Sequence, residues 1–192
     1  WPGPLTLVLR RAPAVDTTVT GGQDTVAIRV PAHPVAQQLL RAFGGGIAAP
    51  SANRYGHVSP TRAEHVRDEF GDEPSIVLDG GDCKIGLEST IVACLDDGAR
   101  VLRPGSITLS QLRAVVPGIE AGPDKDSPRV PGTDARHYAP GTPLSIVATK
   151  RLEEVVMQLT SEHERVAVLA SRPPRVANKF MTWINAGRRA AV

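Results

Sequence analysis

A stretch bounded by glycine and proline, from Gly44 to Thr61, constrains the fold of this chain more than any other segment. Its three leading glycines predict the end of a helix, because glycine adopts positive φ without a Cβ clash. The small apolar residues 47–49 then predict a short buried strand, which Pro50 ends because proline has no N–H to donate. Ser59-Pro60 predicts the start of a second helix, and Thr61-x-x-Glu64 offers a competing capping box. The stretch therefore predicts a helix end, a strand, a polar loop and a helix start.

The loop of this stretch carries hydroxyl and amide side chains, those of Ser51, Asn53 and Ser59. A helix N-terminus preceded by such groups suits an anion such as phosphate, because its free N–H groups and its dipole favour negative charge. An ordinary capped loop would contain the same residues. Local features alone leave both interpretations open.

Composition predicts a globular protein with no membrane span. Of the 192 residues, 41% are hydrophobic and 22% are charged, and no apolar run reaches 18 residues. The net charge of +2 is too small to indicate nucleic-acid binding by bulk charge. Cys83 and Cys94 match no metal-binding spacing, which predicts free thiols in a reducing compartment. Because Trp1 is not a natural start, we expect the chain to be part of a longer protein.

Short apolar runs alternate with helical patterns over the first 121 residues. An Asp-Asp-Gly turn at residues 96–98 predicts an antiparallel hairpin. The amphipathic pattern ending at Phe43 predicts a helix whose apolar side, Val35, Ala36, Leu39, Leu40 and Phe43, packs on the core. Together these patterns predict an α+β domain with a mixed twisted sheet and flanking helices. The predicted strands cover 5–9, 26–30, 75–79, 86–92 and 100–103, and the predicted helices end near residues 43, 70 and 116.

Composition shifts between residues 121 and 143, where proline and glycine become frequent. We therefore expect a first domain over residues 1–121, a linker over 122–143 and the beginning of a second α/β domain over 144–192. Strand patterns at 144–148 and 166–170 flank a helical stripe at residues 152–159, which predicts a parallel β-α-β unit. The apolar residues between 180 and 184 have no evident packing partner in the sequence.

The common catalytic signatures are missing from this sequence. It contains no phosphate-binding glycine loop, no zinc-protease motif, no nucleophile elbow and no carboxylate pair suited to acid–base catalysis. Hydroxyls, amides and arginines follow or begin the predicted strands instead, which favours positioning of an anionic ligand, as in nucleotidyl transfer. Simpler readings stay open, since Arg29 also suits a solvated strand edge and Ser89-Thr90 a plain strand start. The residues concerned are Arg29, Ser51, Asn53, Ser59, Ser89 and Arg103.

Five motifs occur in the order found in one known family. Residues 1–9, 49–53 with 59–61, 86–92 and 102–105 resemble the YrdC-type domain, and residues 136–140 resemble the linker of its two-domain version. The family is that of threonylcarbamoyl-AMP synthases, with a Rossmann-like second domain. The resemblance implies condensation of L-threonine, bicarbonate and ATP to threonylcarbamoyl-AMP and pyrophosphate, for the threonylcarbamoyladenosine modification of tRNA.

The same resemblance implies the site residues. Arg29 would pair with the threonine carboxylate, and Mg²⁺ would arrive with ATP rather than on protein ligands. Because the amine of threonine itself attacks CO₂ or bicarbonate, no protein nucleophile is required. The implied ATP-binding residues are Thr25, Ser51, Asn53, Ser59, Arg103 and Tyr138, and the implied threonine-binding residues are Arg29, Ala49 through its backbone, and Ser89.

The resemblance also implies a cytoplasmic enzyme that passes its product to a downstream tRNA threonylcarbamoyl transferase. The family's basic Lys-x-Arg motif has no counterpart here, so we expect the 192-residue chain alone to bind ATP poorly and to be inactive. One alternative is a non-catalytic YrdC-like module that binds double-stranded RNA or tRNA. Another is a carbamoyl transferase of the hydrogenase-maturation type, which shares the YrdC domain.

Overall fold

The computed structural model describes residues 1–96, 98–132, 142–162, 164–173, 175 and 178–186. The chain divides into two compact units, residues 1–141 and 142–192. The predicted linker residues 133–141, which include Tyr138, lie outside the described residues.

The first unit is built on a five-stranded sheet with the strand order β2-β1-β3-β4-β5. The central strand pair is parallel, while β1 pairs antiparallel with β2 and β3 pairs antiparallel with β4. This mixed sheet with helices confirms the predicted α+β class and the predicted antiparallel hairpin. The strands are β1 (Leu5–Arg10), β2 (Thr25–Ile28), β3 (Thr90–Leu95), β4 (Gly98–Arg103) and β5 (Glu120–Ala121).

The sheet buries apolar side chains on both faces because successive residues of a strand point in opposite directions. On β3, Ile91 and Ala93 join one cluster with Val8, while Val92 between them joins the other with Ile119. The helix α3 (Leu109–Val115) contributes Leu109 and Leu112 to the second cluster. These side chains are the source of the first unit's hydrophobic stabilisation.

Two further helices confirm the predicted helix positions, and one of them corrects a packing prediction. They are α1 (Pro34–Phe43), which begins at a proline and ends at Gly44 with φ 75°, and α2 (Ala63–Phe70). The prediction that the apolar side of α1 packs on the core is wrong, since none of its residues is buried and Phe43 remains 64% exposed. An amphipathic pattern determines that a helix forms, but it does not specify which surface covers the apolar side.

The stretch that dominated the sequence interpretation folds differently after Gly44. Residues 47–49 form no strand, and Ile47 is 40% exposed. The helix α2 begins at Ala63 instead of at Pro60, with no side-chain cap from Arg62. A short apolar run becomes a strand only when a neighbouring strand supplies hydrogen bonds, and these residues have no strand partner in the structure.

The predicted strand at residues 75–79 is absent for the same reason. Ile76 is 78% exposed and Leu78 is 57% exposed, so neither contributes to the core. The predicted strand at 86–92 is only half correct, because β3 begins at Thr90 and residues 86–89 approach it as a loop.

The second unit contains a short 3₁₀ turn (Thr149–Arg151), α4 (Leu152–Ser161), β6 (Val166–Ala170) and β7 (Met181–Asn185). The helix confirms the predicted stripe, with Val156 only 2% exposed. The predicted strand at 144–148 is wrong, and Ile146 is fully exposed. The parallel partner of β6 is instead β7, formed by the apolar residues for which the sequence offered no packing partner.

Candidate functional site

The start of β3 and the end of β4 form a buried, hydrogen-bonded polar cluster in the first unit. Thr90 is completely buried; its hydroxyl donates to the Ile107 carbonyl at 2.8 Å and accepts from the Ile107 N–H at 3.0 Å. Gly105 lies so close to this segment that a Cβ atom there would stand 2.5 Å from the Thr90 nitrogen. The motifs 86–92 and 102–105 are therefore packed directly against each other.

Arg103 joins this cluster through its guanidinium group. Its Nη2 atom donates to the Ser89 carbonyl at 2.9 Å and to the Ser89 hydroxyl at 3.2 Å, and its Nη1 atom donates to the Pro131 carbonyl at 3.0 Å. The side chain is only 12% exposed. The structure thus brings together two predicted site residues, one assigned to ATP and the other to threonine.

Glu88 connects the same cluster to the polar loop, a contact that the sequence interpretation missed. One carboxylate oxygen accepts a hydrogen bond from the Ser59 hydroxyl at 2.6 Å, and the other lies 3.8 Å from Nη2 of Arg103. Glu88 therefore joins Ser59 to Arg103, which in turn is bonded to Ser89. The signal was present in the sequence, because Glu88 lies inside the motif that was already singled out.

Two of the residues assigned to threonine, Ser89 and Arg29, lie near Thr6 of β1. The Ser89 hydroxyl lies 2.7 Å from the Thr6 hydroxyl, and the β1–β2 register pairs Leu7 with Ile28. This is the last pair of the two strands, and Thr6 and Arg29 each adjoin it directly. Arg29, which follows β2 and is exposed, therefore lies at the end of the sheet where these two hydroxyls meet.

Other predicted residues are more distant or lie outside the described part. Thr25 pairs with Arg10 at the opposite end of β2 from Arg29, so the sheet register does not bring it toward Ser89. Ala49 and Ser51, just before and at the start of the polar loop, are both exposed. For Tyr138 the structure gives no position.

The polar loop and α2 together line a cleft of about 300 Å³. Nδ2 of Asn53 donates to the carbonyls of Arg54 and His57 at 2.9 and 3.2 Å. Its Oδ1 atom is buried and has no hydrogen-bond partner among the described residues. The cleft is lined by Ala52, Asn53, Val58, Ser59, Pro60, Thr61, His65 and Glu69.

Glu69 of α2 carries the clearest electrostatic perturbation near this cleft. The backbone N–H of Arg54, which donates to its Oε1 atom at 2.8 Å, is the main reason that the pKa of this carboxyl lies below its ordinary value of 4.5. His57 contributes through its Nδ1 atom at 2.7 Å from the same oxygen. A carboxylate only accepts hydrogen bonds, so His57 Nδ1 carries the hydrogen.

Neither a metal-binding cluster nor a membrane-spanning helix is found within the described residues. No three His, Cys, Asp or Glu side chains are grouped so that they could hold a metal ion there. No described helix is both long and apolar enough to cross a bilayer. Cys83 and Cys94 are both free thiols.

Comparisons with known proteins cover both units. The Sua5/YciO/YrdC family, described as telomere recombination, matches residues 1–105, and the threonylcarbamoyl-AMP synthase C-terminal domain matches residues 107–191. A protein of Bacillus subtilis named threonylcarbamoyl-AMP synthase is 42% identical over 99% of this chain and 57% of its own length. Its namesake in Pyrococcus abyssi is 38% identical over 89% of this chain and 54% of its own length.

Solved structures agree with these relatives. The crystal structure of P. abyssi Sua5 complexed with L-threonine superposes with a TM-score of 0.82 at 36% identity, over 95% of this chain and 56% of that one. The chain therefore spans about half the length of the relatives that it matches. Matches of this extent over both units show that the chain belongs to the Sua5/YciO/YrdC family, in its form with the threonylcarbamoyl-AMP synthase C-terminal domain.

Proposed function

We propose that this chain carries the active site of an L-threonylcarbamoyladenylate synthase, a nucleotidyltransferase that joins L-threonine, bicarbonate and ATP. The observation that carries the proposal is the close likeness to the threonine complex of P. abyssi Sua5. The names of the relatives favour this activity over an RNA-binding module or a hydrogenase-maturation carbamoyl transferase. The product would serve tRNA modification through a downstream transferase, in the cytoplasm where tRNA is found.

Threonine would bind at the end of the sheet where Thr6 and Ser89 are in contact and where Arg29 follows β2. Arg29 is exposed and offers a planar set of N–H donors that matches a carboxylate in a two-pronged, charge-assisted pair. The hydroxyls of Thr6 and Ser89, 2.7 Å apart, can exchange donor and acceptor roles with the hydroxyl or amine of the substrate. Ala49 would add a backbone contact.

ATP would bind beside this group, against the polar loop. Ser59 and Arg103 both contact Glu88, and Asn53 lines the cleft together with Ser59. Ser51, Thr25 and Tyr138 stay as further proposed contacts. Mg²⁺ would enter as MgATP with phosphate and water ligands, because this small ion retains much of its water shell.

The chemistry would proceed in two steps with no protein nucleophile. The threonine amine attacks CO₂ released from bicarbonate and loses a proton, which forms a carbamate. A carbamate oxygen then attacks the α-phosphorus of ATP, the bond to the bridging oxygen breaks, and pyrophosphate leaves with the electron pair. The protein's contribution is to hold both reactants in line and to neutralise charge, for which arginines and hydroxyls suffice.

The direct test is calorimetry with L-threonine on the 192-residue chain and on the complete gene product that contains it. Arg29→Ala should weaken threonine binding about 10-fold to 100-fold, the usual effect of losing a charge-assisted hydrogen bond. Arg113→Ala, at an exposed arginine of α3, is the matched control and should bind as the wild type does. Threonine affinity unchanged by Arg29→Ala would remove the assignment.

A second measurement tests the reaction. The complete protein should release pyrophosphate from ATP only when both threonine and bicarbonate are present. Pyrophosphate release that ignores threonine would contradict the proposed activity. Salt-dependent tRNA binding that persists in Arg29→Ala, without any pyrophosphate release, would favour the RNA-binding module instead.

A further inference from the structure

A single oxygen atom of Glu69, on α2, binds both ends of the turn formed by residues 54–57 in the polar loop. Oε1 of Glu69 accepts from the backbone N–H of Arg54 at 2.8 Å and from Nδ1 of His57 at 2.7 Å. The turn between these two residues is closed by the His57 N–H, which donates to the Arg54 carbonyl at 3.0 Å. A helix side chain therefore determines the conformation of a loop that has no strand or helix of its own.

The same turn orients the side chain of Asn53. Both hydrogens of its amide nitrogen are directed at the carbonyls of Arg54 and His57, the two residues that Glu69 holds. With the nitrogen occupied, the buried Oδ1 atom is left without a partner among the described residues, in a side chain that lines the cleft. A buried acceptor without a partner is costly, and a donor on a bound ligand would satisfy it.

Further contacts fasten the loop to the last turn of α2. The Arg54 guanidinium pairs with Glu73, lies 5.2 Å from the centre of the Phe70 ring and donates through Nε to the Glu69 carbonyl at 3.4 Å. These side-chain contacts are exposed and individually weak. The Glu69 carboxylate, 23% exposed, is the better-shielded anchor and the one that reaches the backbone.

We propose that Glu69 is a positioning residue for the nucleotide, which acts by holding the Arg54–His57 turn and, through it, the Asn53 side chain in the wall of the cleft. The proposal rests on the proposed binding of ATP at this loop. It adds a residue whose carboxylate oxygen is bonded to the turn, and which neither its residue type nor its position in a motif would single out.

The test combines one measurement on the loop with two on ligands, using the complete gene product. Glu69→Ala removes the acceptor, whereas Glu69→Gln keeps a side-chain oxygen for the Arg54 N–H and removes only the charge. Asp68→Asn, at an exposed carboxylate next to Glu69 on α2, is the matched control for loss of one negative charge. Amide hydrogen exchange reports the loop, and calorimetry reports MgATP and threonine.

In Glu69→Ala we expect the Arg54 amide to exchange roughly tenfold faster and the Kd for MgATP to rise by roughly tenfold, as when about one hydrogen bond is lost. The Kd for threonine should stay within about twofold, because its proposed contacts lie on the sheet. Glu69→Gln should recover most of both effects, and Asp68→Asn should match the wild type. This separation of the two ligands would not arise from a general loss of stability.

Two results would overturn the proposal. One is an Arg54 amide that exchanges equally fast in the wild type and in Glu69→Ala, which would show that the carboxylate does not hold the turn. The other is a loosened turn with unchanged MgATP affinity, which would show that the turn does not position the nucleotide. A wild-type protein that binds no MgATP would overturn the proposed function itself, and hydrogen exchange would still decide whether Glu69 holds the turn.

Discussion

Replacing Gly105 with alanine should distort the start of β3, because the added methyl group has no room there. A Cβ atom at residue 105 would lie 2.5 Å from the Thr90 nitrogen and 2.7 Å from the Ser89 carbonyl carbon, and closer still to the Glu88 carbonyl oxygen. All three are backbone atoms, so no side chain can rotate away. The strand start or the segment after β4 must move instead.

The expected cost follows from where that movement occurs. Thr90 is fully buried and Ser89 is 6% exposed, so these residues cannot move into solvent and any shift displaces the side chains packed around them. Overpacking of this kind costs about 1–3 kcal/mol. With a urea slope of about 1–2 kcal/mol/M for a unit of this size, the unfolding midpoint should fall by roughly 1 M. Displacement of Ser89 should also weaken threonine binding.

Urea unfolding followed by circular dichroism, together with amide exchange in β3, measures the effect. Amide exchange in β3 shows whether the first unit has lost stability. An unfolding curve that combines both units could not show which of them was destabilised. Gly118→Ala is the matched control, because a Cβ atom there meets nothing within 4 Å. Equal midpoints for the two variants would refute the reasoning that close backbone approach requires glycine at residue 105.

Three further predictions concern other contacts. Thr90→Val should lower the free energy of unfolding, measured in urea, by about 1–3 kcal/mol, because the backbone N–H and carbonyl of Ile107 both lose their hydrogen-bond partner. Thr90→Ser keeps the hydroxyl and should keep most of the stability. Val156→Ala should lower the stability of the second unit by about 2 kcal/mol by calorimetry, since its side chain is fully buried. The Glu69 contacts should be intact above pH 4.5 and be lost as pH falls through its lowered pKa, which the exchange rate of the Arg54 amide, corrected for intrinsic pH dependence, would show.

The sequence predicted the elements whose cause is local. The hairpin of β3 and β4, the end of α1 at Gly44 and the apolar stripe of α4 all depend on residues within a few positions of each other, and all were confirmed. The class of the sheet followed from the alternation of such elements.

The predictions that failed depend on distant partners. Residues 47–49, 75–79 and 144–148 have the composition of strands, yet a strand forms only against a neighbour. In the second unit, the neighbour of β6 is β7. Composition measures suitability for a strand, and it carries no information on which runs will be paired.

The same distinction between local and distant causes applies to the candidate site. Ser59, Ser89 and Arg103 were identified because hydroxyls and arginines at strand ends suggest an anion. The structure connects all three, since Glu88 contacts Ser59 and Arg103, and Arg103 donates to Ser89. The carboxylates were overlooked because the search was for a pair suited to acid–base catalysis. Glu88 and Glu69 instead accept hydrogen bonds from residues between 12 and 29 positions away, a role that depends wholly on the fold. Such carboxylates fix the positions of neutral hydroxyls and amides, and in a site without a nucleophile these positions are what the protein can contribute.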